Sequence, residues 1–364
     1  MILLNATGLR AFVSIIFVKA GCSSAEGDRI AQYLVSANLT GHDSHGVIRV
    51  PRYIQMKQDG LIHADQKVEI ISDTPVLAVV DGKYGFGQTV APQAVEIGIQ
   101  KCAQMGLAAV ALRNSGHVGR IGDWAEMAAE ARLISVHFVN AAGSVLVAPF
   151  GGVDRRFSTA PYCVGIPREG EAALVLDFAT SRVAEGKVLV ASRGGAKIPD
   201  DALIGPDGTM SSDPHLLYGD YAPDGPRNYK QGAGALRAFG EHKGSGLALM
   251  CELIGGSLTG TGAAEPGRRW ANGMFSLYID PQRIDPSAFF PRDVARYTAF
   301  VKSARPIEPD SEVLLPGEPE ARKRAERLAN GIPLSREAWA SILAVARELG
   351  VDEAPIRLAA ESRP

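Results

Sequence analysis

The chain has 364 residues, 46% hydrophobic and 21% charged, and its 38 Lys+Arg against 40 Asp+Glu leave a net charge of -2. That balance excludes a largely disordered chain and a broad electrostatic nucleic-acid surface, and the length suggests about two or three domains. The 40 glycines follow no G-x-y period, which excludes a collagen-like fibre.

In chain order, Thr7 or Asn5 is placed to cap a helix over about 8–20. Its apolar stretch Ala11–Val18 is too short, and flanked by Arg10 and Lys19, for a secretory signal, so a soluble amphipathic helix and a cytoplasmic location are expected. No window offers enough uninterrupted apolar residues to span a membrane. Ser24 is expected to cap a second helix with Ile30, Tyr33, Leu34 and Ala37 on one face and Gly41 just past its end. A third helix is expected over Gly46–Gln58.

From residue 68 the pattern changes. Val68–Ile71, Val76–Val80, Leu107–Leu112, Ile134–Val139, Ala173–Phe178 and Phe275–Ile279 read as strands. Helices are expected over Val90–Met105, from a capping box at Asp123 and Glu126 to Arg132, and as a buried helix over Gly244–Thr259. Beyond the Pro-rich 305–319, helices return over Pro319–Ala329 and, capped by Ser335, over Arg336–Leu349 with Trp339, Ile342 and Val345 inward. The alternation argues for an α/β fold with a mixed sheet. Helical ends, 1–67 and 300–364, are expected to bracket an α/β core over 68–299. Cys22, Cys102, Cys163 and Cys251 form no C-x-x-C pair, so reduced, buried thiols are expected. His63, His137, His215 and the three tryptophans read as structural.

A glycine-rich α/β chain invites a search for G-x-G-x-x-G. Gly85-Phe86-Gly87, Gly232-Ala233-Gly234 and Gly244-Ser245-Gly246 all fail its spacing, and no Walker A motif is present. Four other segments concentrate chemistry. In Gly41-His42-Asp43-Ser44-His45-Gly46, followed by Arg49, Arg52 and Tyr53, helical spacing would put Arg49, Arg52 and Tyr53 on one face. A guanidinium there suits bidentate capture of a carboxylate, and a neighbouring histidine suits proton transfer, although a helix cap with a solvated basic face gives the same pattern. His42 and His45 would also suit a metal in a hydrolase. Arg113 to Asp123, with His117, Gly119 and Arg120, lies between a strand and a helix, where a phosphate could meet open backbone and the Arg120 charge. The strand end Asp177-Phe178-Ala179-Thr180-Ser181 suits ribose or phosphate, or a plain cap. Lys243 at a helix start, after Glu241-His242, puts a cation where the dipole is already positive, which an anion would relieve.

These segments, with Ala148-Pro149-Phe150-Gly151-Gly152 and Leu315-Pro316-Gly317-Glu318, closely resemble, in order, the non-Rossmann malate/L-lactate dehydrogenase family. Ala37 to His42 and Phe157 to Cys163 resemble its hydroxycarboxylate dehydrogenase B type. The resemblance implies a mixed-sheet, non-Rossmann NAD(P)-binding fold and a homodimer with its active site near the subunit interface. The implied activity is NAD- or NADP-dependent interconversion of 2-hydroxy and 2-oxo acids, or else reduction of a cyclic imino acid. It implies catalytic roles for His45 first and His117 second, with Ser44 beside His45, and substrate contacts from Arg49 and Tyr53. It implies cofactor contacts from Gly119, Arg120, Ile121, Asp177, Phe178, Ala179, Thr180, Ser181, His242, Lys243, Asn272, Gly317, Glu318, Pro319 and Glu320. Arg193 is the candidate for a 2′-phosphate. One departure stands out: Ala160-Pro161 replaces the Asn-Pro often found in the family.

Overall fold

A computed structural model describes residues 1–194, 196–222, 227–309 and 311–352. Two antiparallel-packed helices, Ala6–Lys19 and Ser24–Leu39, open the chain. Asn5 caps the first through Thr7 and Gly8 N–H groups. Ser23, not Ser24, caps the second, because its side chain reaches the Glu26 N–H three residues on. These helices pack with Val50–Gln58 and the C-terminal helix Arg336–Glu348 around Phe12, Phe17, Ile30 and Trp339, all buried. A short antiparallel pair, Ile2–Leu4 with Ile332–Leu334, ties the two chain ends together.

The central sheet has seven strands, in the spatial order Glu69–Asp73, Leu77–Asp81, Leu107–Ser115, Ala271–Ile279, Ile134–Ala142, Pro161–Ile166 and Leu174–Ala179. Only Leu77–Asp81 and Leu107–Ser115 run parallel. They are joined by the crossover helix Gly87–Met105, which stops at Gly106 in the left-handed region (φ 82°). All other pairs are antiparallel, so the sheet is mixed and has none of the parallel winding of a Rossmann fold.

A feature without a signal in the sequence pattern is a small four-stranded sheet, with strands of two or three residues. It lies over 147–237 and has its own core around Val147, Val188, Leu217 and Leu236. Such strands are too short for any periodicity to show. Helix Phe289–Lys302 was also not foreseen; no residue in it is buried, and Phe289, Tyr297 and Phe300 face outward. The expected buried helix 244–259 is instead His242–Cys251 continued by a π-helical stretch, Glu252–Ser257, and Leu249, Met250, Leu253 and Leu258 are exposed. Its continuous apolar composition marks surface here as well as core. All four cysteines are unpaired and buried. Among the described residues no helix is long and apolar enough to cross a membrane.

Candidate active site

The Ser44-His45-Gly46 segment is not the start of one long helix. It forms two tight 3-10 turns, Asp43–His45 and Val47–Arg49, before the α-helix begins at Val50. Side-chain bonds explain the detour. Asn38, fully buried in the second helix, accepts the Val47 N–H (2.8 Å) and donates to Asp43 (2.6 Å). Arg327 grips Asp43 bidentately at 2.6 and 2.9 Å from helix Glu318–Asn330. The turn is thereby locked between the two chain ends. Arg49 closes it from within, donating Nε–H to the Ser44 carbonyl at 2.5 Å. Its terminal nitrogens make no hydrogen bond among the described residues, which leaves a guanidinium edge open. The change of helix type separates Arg52 from this group: it is exposed, whereas Tyr53 is buried.

The His117 loop meets this turn. Gly87 opens the crossover helix so close to the loop that a Cβ there would lie 2.1 Å from the His117 carbonyl oxygen. Asn272 accepts the Val118 N–H at 2.9 Å and donates to the Asn140 carbonyl at 2.6 Å. The rings of His45 and His117 stack at 5.4 Å and 14°, and Trp270 flanks His117 at 5.9 Å. Trp270 is therefore part of the site wall and not only a packing residue. Ser44 Oγ lies 3.0 Å from His45 Nδ1, and Tyr53 Oη 2.5 Å from His117 Nδ1. Each ring spends its Nδ1 on a hydroxyl, and neither Nε2 has a hydrogen-bond partner among the described residues.

Burial drives the His117 imidazole down to about 3, and the Arg49 charge pushes the same way. His45 is held well below the ordinary histidine value by burial first, then by His117 and Arg49. Burial pushes Tyr53 up to about 12, so its hydroxyl keeps its proton. The ligand-free site thus holds two neutral imidazoles beside an unspent positive charge.

Several of the implied cofactor segments touch one another. Gly122 N–H, at the start of helix Gly122–Glu130, donates to Asp177 Oδ2 at 2.8 Å. The Gly317 turn packs against the strand through the Val175 N–H to Pro316 carbonyl bond. Glu320 lies 3.3 Å from His42. The Thr180 carbonyl accepts from Phe239 N–H, leading directly to Glu241, His242 and Lys243. Ser44 touches Gly186 on the other side. Gly119 (φ 73°) and Gly317 (φ 93°) leave backbone open at the site, and Lys243 and His242 stand exposed at a helix N-terminus. These features fit an elongated phosphate-bearing group. A cleft of about 1460 Å³ opens beside Gly317 and Glu320, with Thr40, Asp123 and Arg324 also on its walls; neither His45 nor His117 lines it.

Several residues are placed differently from the expectation. Arg120 presents no free charge to a phosphate: it is 2% exposed and bonded to Asp123 (2.9 Å) and Glu126 (2.8 Å). The same bonds undo the expected capping box, since Asp123 and Glu126 spend their carboxylates on Arg120 while Asp177 takes the helix N-terminus. Asn272 has both ends of its amide engaged with backbone. Thr180 and Ser181 donate their hydroxyls to the Ala160 and Val183 carbonyls. Phe178 packs at a tilt against Tyr162 and edge-to-face against Phe239, Ala179 pairs with Pro161, and Ile121 is buried. Glu318 is held by Lys302 and the Leu315 N–H, with Pro319 next to it in the first turn of its helix. Arg193 is exposed. His42 bonds Glu320, and among the described residues no three His, Cys, Asp or Glu side chains group as a metal site. His137 is structural, bonded to Ser135 and Ser276.

A profile of the malate/L-lactate dehydrogenases matches residues 4–343. The chain is 37% identical over 357 residues to a hydroxycarboxylate dehydrogenase B of Escherichia coli O157:H7, covering 96% of this chain and 95% of that one. It is 31% identical to an L-sulfolactate dehydrogenase of Methanocaldococcus jannaschii, covering 93% and 94%. A solved E. coli chain described as a malate/lactate dehydrogenase superposes with a TM-score of 0.90 at 36% identity, over 98% of each chain.

Proposed function

The chain belongs to the malate/L-lactate dehydrogenase family, and from that premise we propose how its site works on a 2-hydroxy acid. It is a dehydrogenase of CH–OH groups that uses a nicotinamide cofactor. The observation that carries the proposal is the pair of neutral imidazoles set against the open guanidinium edge of Arg49.

Arg49 holds the substrate carboxylate, placing C2 and its oxygen at the Nε2 edges of the two stacked rings. The nicotinamide, when bound, supplies the hydride chemistry. The neutral histidine takes the hydroxyl proton in oxidation, and its imidazolium returns that proton in reduction. The Tyr53 bond to Nδ1 supports His117 over His45 as that group, because it fixes the ring and leaves Nε2 as the reacting atom. Tyr53 is itself held by Gln88 whereas the Ser44 hydroxyl has no second partner among the described residues, so His45 is the less constrained ring. The carboxylate also offsets the Arg49 charge that depresses both imidazoles, so substrate binding makes protonation easier. His242, Lys243, Gly119 and the Gly317 turn hold the cofactor, while Arg120, Asn272, Thr180 and Ser181 shape its walls. The reaction is tested by following reduced nicotinamide with NADH and NADPH in parallel, which also decides between the two; Arg193 matters only if NADPH is preferred.

The homodimer is supported by the exposed apolar side chains of the two surface helices, Leu249, Met250, Leu253, Phe289 and Phe300. Light scattering on the purified protein is expected to give twice 38.5 kDa. A mass of one chain at micromolar concentration contradicts the dimer.

A further inference from the structure

We propose that Gln88 is a positioning residue which, through the Tyr53 hydroxyl, sets the ring nitrogen of His117 that carries the proton. The inference rests on the reading of His117 as the acid/base. Gln88 lies in the first turn of helix Gly87–Met105 and is 1% exposed. Its Nε2–H donates to Tyr53 Oη at 3.2 Å, and Tyr53 Oη lies 2.5 Å from His117 Nδ1. Gln88 Oε1 is buried and has no hydrogen-bond partner among the described residues. The Gly119 backbone closes the other side, since a Cβ there would lie 3.0 Å from Gln88 Nε2.

A tyrosine hydroxyl has one proton to give. With the Gln88 amide donating to its oxygen, Tyr53 must direct that proton to His117 Nδ1. The neutral ring then carries its own proton on Nε2, where it can donate a hydrogen bond but has no lone pair for a hydroxyl proton. Half a turn of the amide puts Oε1 on the Tyr53 hydroxyl and reverses both bonds. Tyr53 then donates to Gln88 and accepts Nδ1–H, and the Nε2 lone pair is free for the hydroxyl proton of a 2-hydroxy acid. That proton makes the imidazolium, and an oxidised nicotinamide, when bound, would supply the acceptor for the C2 hydride. Each orientation makes one hydrogen bond to Tyr53, and the structure holds the one in which the amide donates. An amide is the side-chain group that offers a donor and an acceptor at the same reach. An ionised Glu there offers only acceptors, and a Met offers neither.

The test is nitrogen-15 NMR of histidine-labelled, ligand-free enzyme, with the His117 signal identified by its loss in His117→Ala. Wild type is expected as the Nε2–H tautomer. Gln88→Glu is expected to move His117 to Nδ1–H, and Gln88→Met to leave a mixture. In Gln88→Met, which has neither the amide donor nor the amide acceptor, kcat/KM is expected to fall about 10- to 100-fold, the usual scale for a misplaced reacting group. Both reaction directions must fall together, because the overall equilibrium constant fixes their ratio. In a Tyr53→Phe background the relay is already cut, so Gln88→Met is expected to add no further loss. Full additivity in that background, or an unchanged His117 tautomer in both variants, overturns the proposal. So does lost activity without a tautomer change, which makes Gln88 a packing residue only. The tautomer readout needs no substrate, so a protein inactive on every 2-oxo acid counts against the functional reading and leaves the Gln88 relay to be judged by NMR.

Discussion

His117→Ala is expected to lower kcat by about 10²–10⁴-fold, the range removed with a general acid–base group. The cofactor should bind nearly as before, because the loop is anchored by the Val118 N–H to Asn272 and by the Gly87 contact, and neither uses the imidazole. The loss belongs to the chemical step, so kcat and kcat/KM should fall by similar factors. His45→Ala is the control. Its ring stacks on His117 and bonds only Ser44, so its removal should cost less than that of His117. A His117→Ala enzyme with near wild-type kcat and a crippled His45→Ala enzyme would exchange the two roles. Two unaffected variants contradict the whole proton-transfer account.

Arg49→Met is expected to reduce kcat/KM for carboxylate substrates by about 10²–10³-fold, since truncating one partner of a charge pair costs roughly 2–5 kcal/mol. The defect should appear mainly in KM, because the carboxylate is held in ground state and transition state alike. The same variant changes the pH dependence. In the wild type both imidazoles lie below the ordinary histidine value, so the neutral base persists as pH falls. The acid limb of kcat/KM for oxidation should therefore lie below about pH 6.5, the ordinary histidine value. Arg49 is one of the charges that depresses both rings, so its loss should move that limb upward. A wild-type limb at or above the ordinary histidine value, or one that Arg49→Met leaves in place, contradicts the electrostatic reading.

Much of this site is legible in the sequence because its chemistry is local. Ser44, His45, Arg49 and Tyr53 lie within one turn-and-helix segment, and His117 sits in a strand-to-helix loop. The failed dinucleotide fingerprint agrees with a sheet that has a single parallel pair. What stays hidden is set by long-range pairing. Nothing near Arg327 shows that it crosses to Asp43, or that this clamp together with Asn38 turns an expected helix into two 3-10 turns. Arg120 looks like a phosphate ligand until Asp123 and Glu126 are folded onto it. Gln88 carries no motif at all, since its role exists only once the crossover helix meets Tyr53. Ala160 has a backbone φ of 22°, a positive value that nothing in the local sequence announces. The exposed apolar face of 242–258 misled because apolar composition alone does not separate a buried helix from one at the surface.

The most direct test of the account is the absorbance of reduced nicotinamide when enzyme, NADH or NADPH, and a panel of 2-oxo acids are mixed. The account predicts oxidation with at least one cofactor and acid pair, and loss of most of that rate in His117→Ala at unchanged cofactor binding. Oxidation that survives in His117→Ala, or no oxidation of either cofactor across lactate-, malate- and sulfolactate-type 2-oxo acids, contradicts it.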